Sequence, residues 1–278
     1  MRGMTAFKSS SPLPSHRWQD LTTQDFASLD AARTVAVLPL GATEQHGPHL
    51  PLSVDTDLVE GVVRAALGHL ALTDPVLVLP TQQVSLSTEH MAFAGTLTLS
   101  PQTALAVLCE LGACVARAGV KKLLLFNAHG GNVSLMDMVA RELRAQHGLL
   151  VYSSSWYNLP LADAAMAPFD ADERRFGIHA GDMETSMMLA LSSQRVRMNL
   201  AQNFASTSQE RAARYPVLGN GQAAKLGWHM QDYNPHGAAG NAAAATADKG
   251  QALVDSAGEQ LALLLREMVA LPLTTLRV

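Results

Sequence analysis

Four apolar runs punctuate the chain: residues 34–40 (TVAVLPL), 75–80 (PVLVLP), 121–127 (KKLLLFN) and 149–156 (LLVYSSSW). They lack the in/out alternation of a half-solvated sheet and read as strands of a parallel sheet buried on both faces. Helix-periodic segments separate them. Residues 55–72 are expected to form a helix capped by Asp55 or Thr56, and residues 100–120 one capped by Ser100 with Pro101 in its first turn. The Gly130-Gly131 break is expected to lead into a helix over 132–148 capped by Asn132. This strand–helix rhythm predicts a compact three-layer α/β/α domain with a mainly four-stranded parallel sheet.

Outside this rhythm the pattern is looser. Residues 1–16 are rich in Ser and Pro and read as a flexible arm, leaving residues 17–278 as one domain. Residues 15–30 suggest one or two short helices, with Thr22, Thr23 and Asp25 as capping candidates. A helix is expected from about residue 181, and an amphipathic helix over 246–270 closes the chain. Between them, residues 194–247 lack a regular pattern, and a connection of that length is usually functional or interfacial.

Composition narrows the class. Apolar residues are 48% and charged residues 16% of 278, enough to build a large core. A formal charge of −4 with no basic block offers nothing to nucleic acid or an anionic membrane. No apolar stretch reaches 18 residues and the N-terminal region has no secretory core, so a cytoplasmic protein is expected. The cysteines, Cys109 and Cys114, are too few for a disulfide framework and read as buried small hydrophobes.

The chemistry concentrates at strand ends. Ligands of open parallel sheets bind beyond the carboxyl ends of the strands. The first strand runs into Glu44-Gln45-His46-Gly47-Pro48-His49, with Asp55 beyond, and the third into Asn127-Ala128-His129-Gly130-Gly131-Asn132. His179 and Glu184 flank the start of the helix near residue 181. Each piece has a plain structural reading: a polar loop pair at Glu44/His46, a helix cap at His129, a first-turn acid at Glu184. His49 and His90 read as supporting or core histidines. What favours a metal site is the convergence of these groups on one sheet edge, with the mixed N/O donors that suit Zn²⁺, Mn²⁺ or Fe²⁺ and no thiolates. A pair of ions about 3.5–4 Å apart would supply a bridging hydroxide. There is no nucleophile elbow for a serine hydrolase and no phosphate-binding glycine pattern.

Taken together, LPLGATEQHGPHLPLSVDTD (38–57), STEHMAFAGTLTL (87–99), FNAHGGN (126–132) and HAGDMETSMMLAL (179–191) resemble the creatininase (creatinine amidohydrolase) family, in order and spacing. The resemblance extends from about Trp18 to residue 253. It implies a four-stranded α/β fold, a homohexamer, two divalent metal ions per subunit with zinc foremost, and hydrolysis of a non-peptide C–N bond in a small cyclic amide or related amide. It further implies that Glu44, Asp55 and His129 hold one ion, and His46 and Asp55 the other. His179 would be the proton shuttle. In creatininase an acid two residues after the motif histidine also binds the second ion. Here that position is Gly131, which counts against creatinine as substrate and makes Glu184 the natural replacement, as ligand and catalytic group. Substrate contacts are expected from residues 80–96, 155–178 and 194–247, with His90, Gly130, Gly131 and Ile178 as candidates. Peptide cleavage of the mycofactocin-maturation type, formamide hydrolysis and a non-catalytic metal-binding assembly role are the alternatives.

Overall fold

The computed structural model describes residues 12–277. In chain order the elements are α1 Thr23–Ala27, β1 Val35–Leu40, α2 Val54–Gly68, β2 Val76–Val78, α3 Pro101–Arg117, β3 Lys122–Asn127, α4 Val133–His147 and β4 Leu150–Ser155. Then follow α5 Asp163–Met166, α6 Ala171–Phe176, α7 Asp182–Ser192, β5 Asn203–Phe204, α8 Thr207–Arg214, β6 Gly240–Asn241 and α9 Ala247–Ala270. The first four strands form one parallel sheet in the order β2-β1-β3-β4, the expected fold class.

The sheet is buried on both faces, as its unbroken apolar strands require. Val35 and Val37 point into a core shared with α2, α7 and α9, whereas Ala36, Leu38 and Leu40 point into a second core with α3 and α4. Successive side chains of a strand face opposite ways. Register decides what happens at the carboxyl edge: Leu40 pairs with Asn127, and Asn127 with Ser155. The three strands therefore end level, and the turns leaving them open onto one surface. The segment after β2 is drawn to the same edge by bridges between Leu40 and Gln82 and between Thr43 and Leu97.

Several local expectations change. α2 begins at Val54, so Asp55 and Thr56 lie inside its first turn and do not cap it. Thr56 Oγ1 donates instead to the carbonyl of Ala42 (3.2 Å), and the Asp55 carboxylate turns towards the sheet edge. Asn132 precedes α4 but its side chain caps nothing. Its amide donates to Gly41 O (3.3 Å) and Asn127 Oδ1 (3.1 Å) and its Oδ1 accepts from Ser85, tying the turns after β1, β2 and β3 together. Ser100 and Thr22 do cap their helices, the latter in a capping box with Asp25. The cysteines are not buried: Cys109 is half-buried and Cys114 exposed, and both are free. They sit beside, not on, the inward stripe Ala104, Leu108, Gly112 and Val115 of α3.

Residues 1–11 of the expected arm lie outside the described residues. Its last part is packed: Leu13 is buried and its amide donates to Leu72 O (2.8 Å). The irregular region 194–247 holds α8 and the short antiparallel β5–β6 pair, with turns elsewhere. Among the described residues no helix is long and apolar enough to cross a membrane.

Candidate metal centre

The turn after β1 carries Glu44 and His46, the first turn of α2 carries Asp55, the turn after β3 carries His129, and the entry to α7 carries His179 and Glu184. Gly41 makes the return of Asp55 possible. A Cβ there would lie 2.8 Å from the backbone of Thr56, so only glycine lets α2 start against the end of β1. A short turn at Thr88–His90 adds Glu89 and His90.

These groups converge. His129 Nδ1 lies 3.3 Å from Glu44 Oε1 and 3.6 Å from Asp55 Oδ2. His46 Nε2 lies 3.7 Å from Asp55 Oδ1 and 4.0 Å from Glu184 Oε2. Asp55 thus stands between the two imidazoles. Backbone carbonyls, which can only accept, fix how each ring is presented. Leu86 O takes the Nε2 proton of His129 (2.7 Å), Glu44 O the Nδ1 proton of His46 (3.1 Å), and Gln45 O the Nε2 proton of His179 (2.8 Å). Each ring therefore turns its other nitrogen towards the carboxylates, the arrangement by which metal-ligating histidines are oriented.

The donor set fits cations. Both carboxylate oxygens of Glu44, Nε2 of His46 and Oδ2 of Asp55 are buried without a hydrogen-bond partner. Buried carboxylates left so are costly unless a positive charge meets them. Glu44, His46 and Asp55 bring ligand atoms within 4.8 Å of one another, as do His46, His179 and Glu184, and Glu44, Glu89 and His129.

Titration reflects this crowding. Burial alone would raise Glu44, but His129, His90 and His179 hold it well below the usual carboxylate range. Burial alone would lower the two imidazoles facing Asp55, yet the carboxylates lift His46 to about 9 and His129 to about 10. Burial and the neighbouring Glu44 raise Asp55, and burial raises Glu184 to about 7. Burial, with His46 and His90 nearby, keeps His179 neutral, well below the ordinary histidine value.

His49 stands apart from the cluster, its Nε2 2.9 Å from Thr185 Oγ1. His90 is buried against it: Gln45 Nε2 donates to Nδ1 (2.7 Å), which leaves the proton on Nε2, 3.2 Å from Glu44 Oε1 but not in a hydrogen bond with it. Gly130, Gly131 and Ile178 line a cavity of about 770 Å³ whose floor is Glu44, Asp55, His129 and Glu184. Two residues escape a reading by motif spacing. Gln45 bridges His90 and the backbone of Gly47. Glu89 places Oε1 3.5 Å from His129 Nε2. Its adjacency to His90 in sequence was the available signal.

Two further features hold the α7 entry. Ala180 takes the left-handed conformation (φ 53°), unlike every other described non-glycine residue, and its amide donates to Glu184 Oε2 (2.6 Å). Buried Glu173 accepts from the amides of Asp182 and Asn241, both at 2.7 Å, and so clamps α7 to β6.

With fold and site in place, the comparisons with known proteins agree. The model of the family described as "Creatininase: Creatinine amidohydrolase" matches residues 19–265, and the chain belongs to this family. A mycofactocin precursor peptide peptidase of Mycobacterium ulcerans (strain Agy99) is 34% identical over 178 residues, covering 62% of this chain and 64% of that protein. The aligned region therefore spans less than two thirds of that relative's length. The creatinine amidohydrolase of Pseudomonas putida is 33% identical over 186 residues, covering 62% of this chain and 70% of that one. The solved structure "Creatininase Mn" superposes with a TM-score of 0.72 at 24% identity, over 91% of this chain and 98% of that one, a likeness of fold.

Proposed function

We propose that the protein is a metal-dependent amidohydrolase with two divalent cations, zinc or manganese, at the carboxyl edge of its sheet. Glu44, Asp55 and His129 would hold one, and His46, Asp55 and Glu184 the other, with Asp55 shared. The observation that carries this reading is the set of buried, unpartnered polar atoms on Glu44, His46 and Asp55. When bound, the ions supply Lewis acidity to the substrate carbonyl and to water. The chain's own groups do the rest. His90 Nε2 lies beside Glu44 Oε1, 3.2 Å away. His179 is neutral, with Nδ1 facing the carboxylates. It would take up there the proton that the attacking water loses and deliver it to the departing nitrogen, and its low basicity favours release.

The cavity supports a substrate larger than a single small ring. About 770 Å³ falls in the range of pockets that enclose drug-sized ligands, so an extended amide or short peptide fits better than a small lactam. A relative named as a peptidase supports the same side of the choice. The proposal carries with it a homohexamer, which rests on the motif resemblance and is measured by light scattering.

Metal analysis after reconstitution tests the proposal. Two equivalents per chain are expected, lost in Asp55→Ala. His179→Ala should keep both and slow amide hydrolysis by roughly 10²–10⁴-fold. Wild-type protein that retains no metal and hydrolyses no amide would overturn it.

A further inference from the structure

The cavity above the acid–histidine floor has a second chemistry on its walls. Arg174 and Arg175 of α6, Arg211 of α8 and Lys225 line it together with Trp228 and Tyr233. Among the described residues none of these four cations pairs with a carboxylate: the ion pairs formed by Arg and Lys involve Arg141, Arg195, Lys249 and Arg266. The partners of Arg211 and Arg175 are neutral. Arg211 donates to Thr207 Oγ1 (2.8 Å), and its guanidinium lies over the Tyr233 ring, 4.9 Å from the centroid. Arg175 lies 4.8 Å over Phe176 and donates to Gly219 O (3.4 Å). Such contacts orient a guanidinium and leave its charge uncompensated.

Solvated arginines and lysines on an outer face are ordinary. These share one cavity with the carboxylates, and an aromatic ladder joins the two zones. Tyr233 meets Trp228 edge-on with centroids 5.0 Å apart, Trp228 meets His90 at 6.2 Å, and His90 touches Glu44. The charges sort accordingly. Glu44, Asp55, Glu89 and Glu184 line the floor, while Glu173, the other acid on the wall, is occupied by backbone amides. Two divalent cations would balance four floor carboxylates and leave the four wall cations in excess. A cleft of one charge sign concentrates ligands of the other.

We infer that the substrate carries a free carboxylate remote from the scissile C–N bond, received by Arg174, Arg175, Arg211 and Lys225. An aromatic or apolar group beside it packs on Trp228 and Tyr233. The substrate class is a short peptide with a free carboxylate several bonds beyond the amide that is cut. The inference rests on the amidohydrolase reading of the floor.

Calorimetry on the metal-loaded protein tests it with N-acetyl-Gly-Gly-Phe and its C-terminal amide. The acid should bind at least about tenfold more tightly, and the difference should shrink with added salt. In Arg211→Gln/Lys225→Gln the preference should fall to about twofold or less, with metal content and Tm unchanged, while Lys225→Arg should retain it. Equal affinity for acid and amide overturns the inference. So does a preference undiminished in the double variant, because Arg211 and Lys225 would then take no part in receiving the carboxylate. Hydrolysis of free-acid and amidated peptides, followed by mass spectrometry, separates the two readings. Equal cleavage of both sinks the carboxylate preference alone. Bound metal without cleavage of either, with the acid still favoured, sinks the amidohydrolase reading and leaves the anion site standing.

Discussion

The carboxylate of Glu89 reaches into the space that any side chain at position 131 would need. A Cβ on Gly131 would overlap Glu89 Oε1, His129 Nε2 and the Leu86 carbonyl. The chain therefore has an acid at this corner, delivered from the turn after β2, and the glycine makes room for it. Gly131→Glu should not install an extra ligand. It should displace Glu89 or His129, lower stability by about 1–3 kcal/mol through overpacking and reduce bound metal. Adding Glu89→Ala should recover part of both losses. Denaturation and metal content of the two variants check this. A Gly131→Glu protein as stable and as metal-rich as wild type would show that the corner is not contested.

In the proposed centre, protons and metal compete for the same nitrogens. His46 titrates at about 9 and His129 at about 10 without metal. Both are charged at neutral pH and must release protons to bind a cation. Metal affinity should therefore rise from pH 7 towards 9, by about tenfold per pH unit for each proton displaced. Calorimetry in buffers of different ionisation enthalpy should register at least one proton released. The metal-free protein shows the other side of this linkage. Its two histidines have pKa values raised above the ordinary 6.5. Their stabilisation is complete below that value and is lost as pH rises through about 9 to 10, so its Tm should fall over that window. A Tm flat from pH 8 to 10.5 would contradict these shifts.

Asp55 should give substitutions of opposite sign in the two states. Burial and Glu44 disfavour its charge in the metal-free protein. Above the unfolded carboxyl range that raised pKa is a penalty, and it grows with pH. Asp55→Asn should thus raise the Tm of metal-free protein at pH 7 and abolish the stabilisation that metal gives to wild type. Thermal scans with and without chelator measure both. Loss of stability in the metal-free state would sink the argument.

Ala180 holds a conformation that costs an L-residue about 1–2 kcal/mol. Glycine relieves it but frees the unfolded chain by roughly 0.4–1 kcal/mol. It also gives up a fully buried methyl, about 0.8 kcal/mol, so Ala180→Gly should leave stability within about 1 kcal/mol of wild type. It should also slow hydrolysis, since the residue sits between His179 and the Glu184 carboxylate it binds. Urea titration decides; a loss of 1 kcal/mol or more, ordinary for Ala→Gly in a helix, would refute the strain.

Much of this was legible in the chain. The four apolar runs located every strand of the main sheet, because a strand buried on both faces leaves no polar positions to blur it. Glu44, His46, Asp55, His129, His179 and Glu184 were visible as clusters at element ends, and the structure brings them together. Side-chain allegiance was harder to read. Asp55, Thr56 and Asn132 look like caps, and each is claimed by a longer-range partner or by the sheet edge. Glu89 was missed because its importance depends on the void over Gly131, a relation between backbones 42 residues apart. The cationic wall was invisible as a block, since α6, α8 and the turns after α8 each contribute only one or two charges.

The level endings of β1, β3 and β4 divide the molecule's labour. The floor groups hang from strand ends and from the first turns of α2 and α7, so the sheet ladder itself holds them in place. The wall belongs to α6, α8 and the irregular stretch beyond, outside that ladder. Selectivity can therefore drift by exchange of wall residues while the reactive floor is inherited intact. A family of this build can keep one kind of bond-breaking and change its clientele.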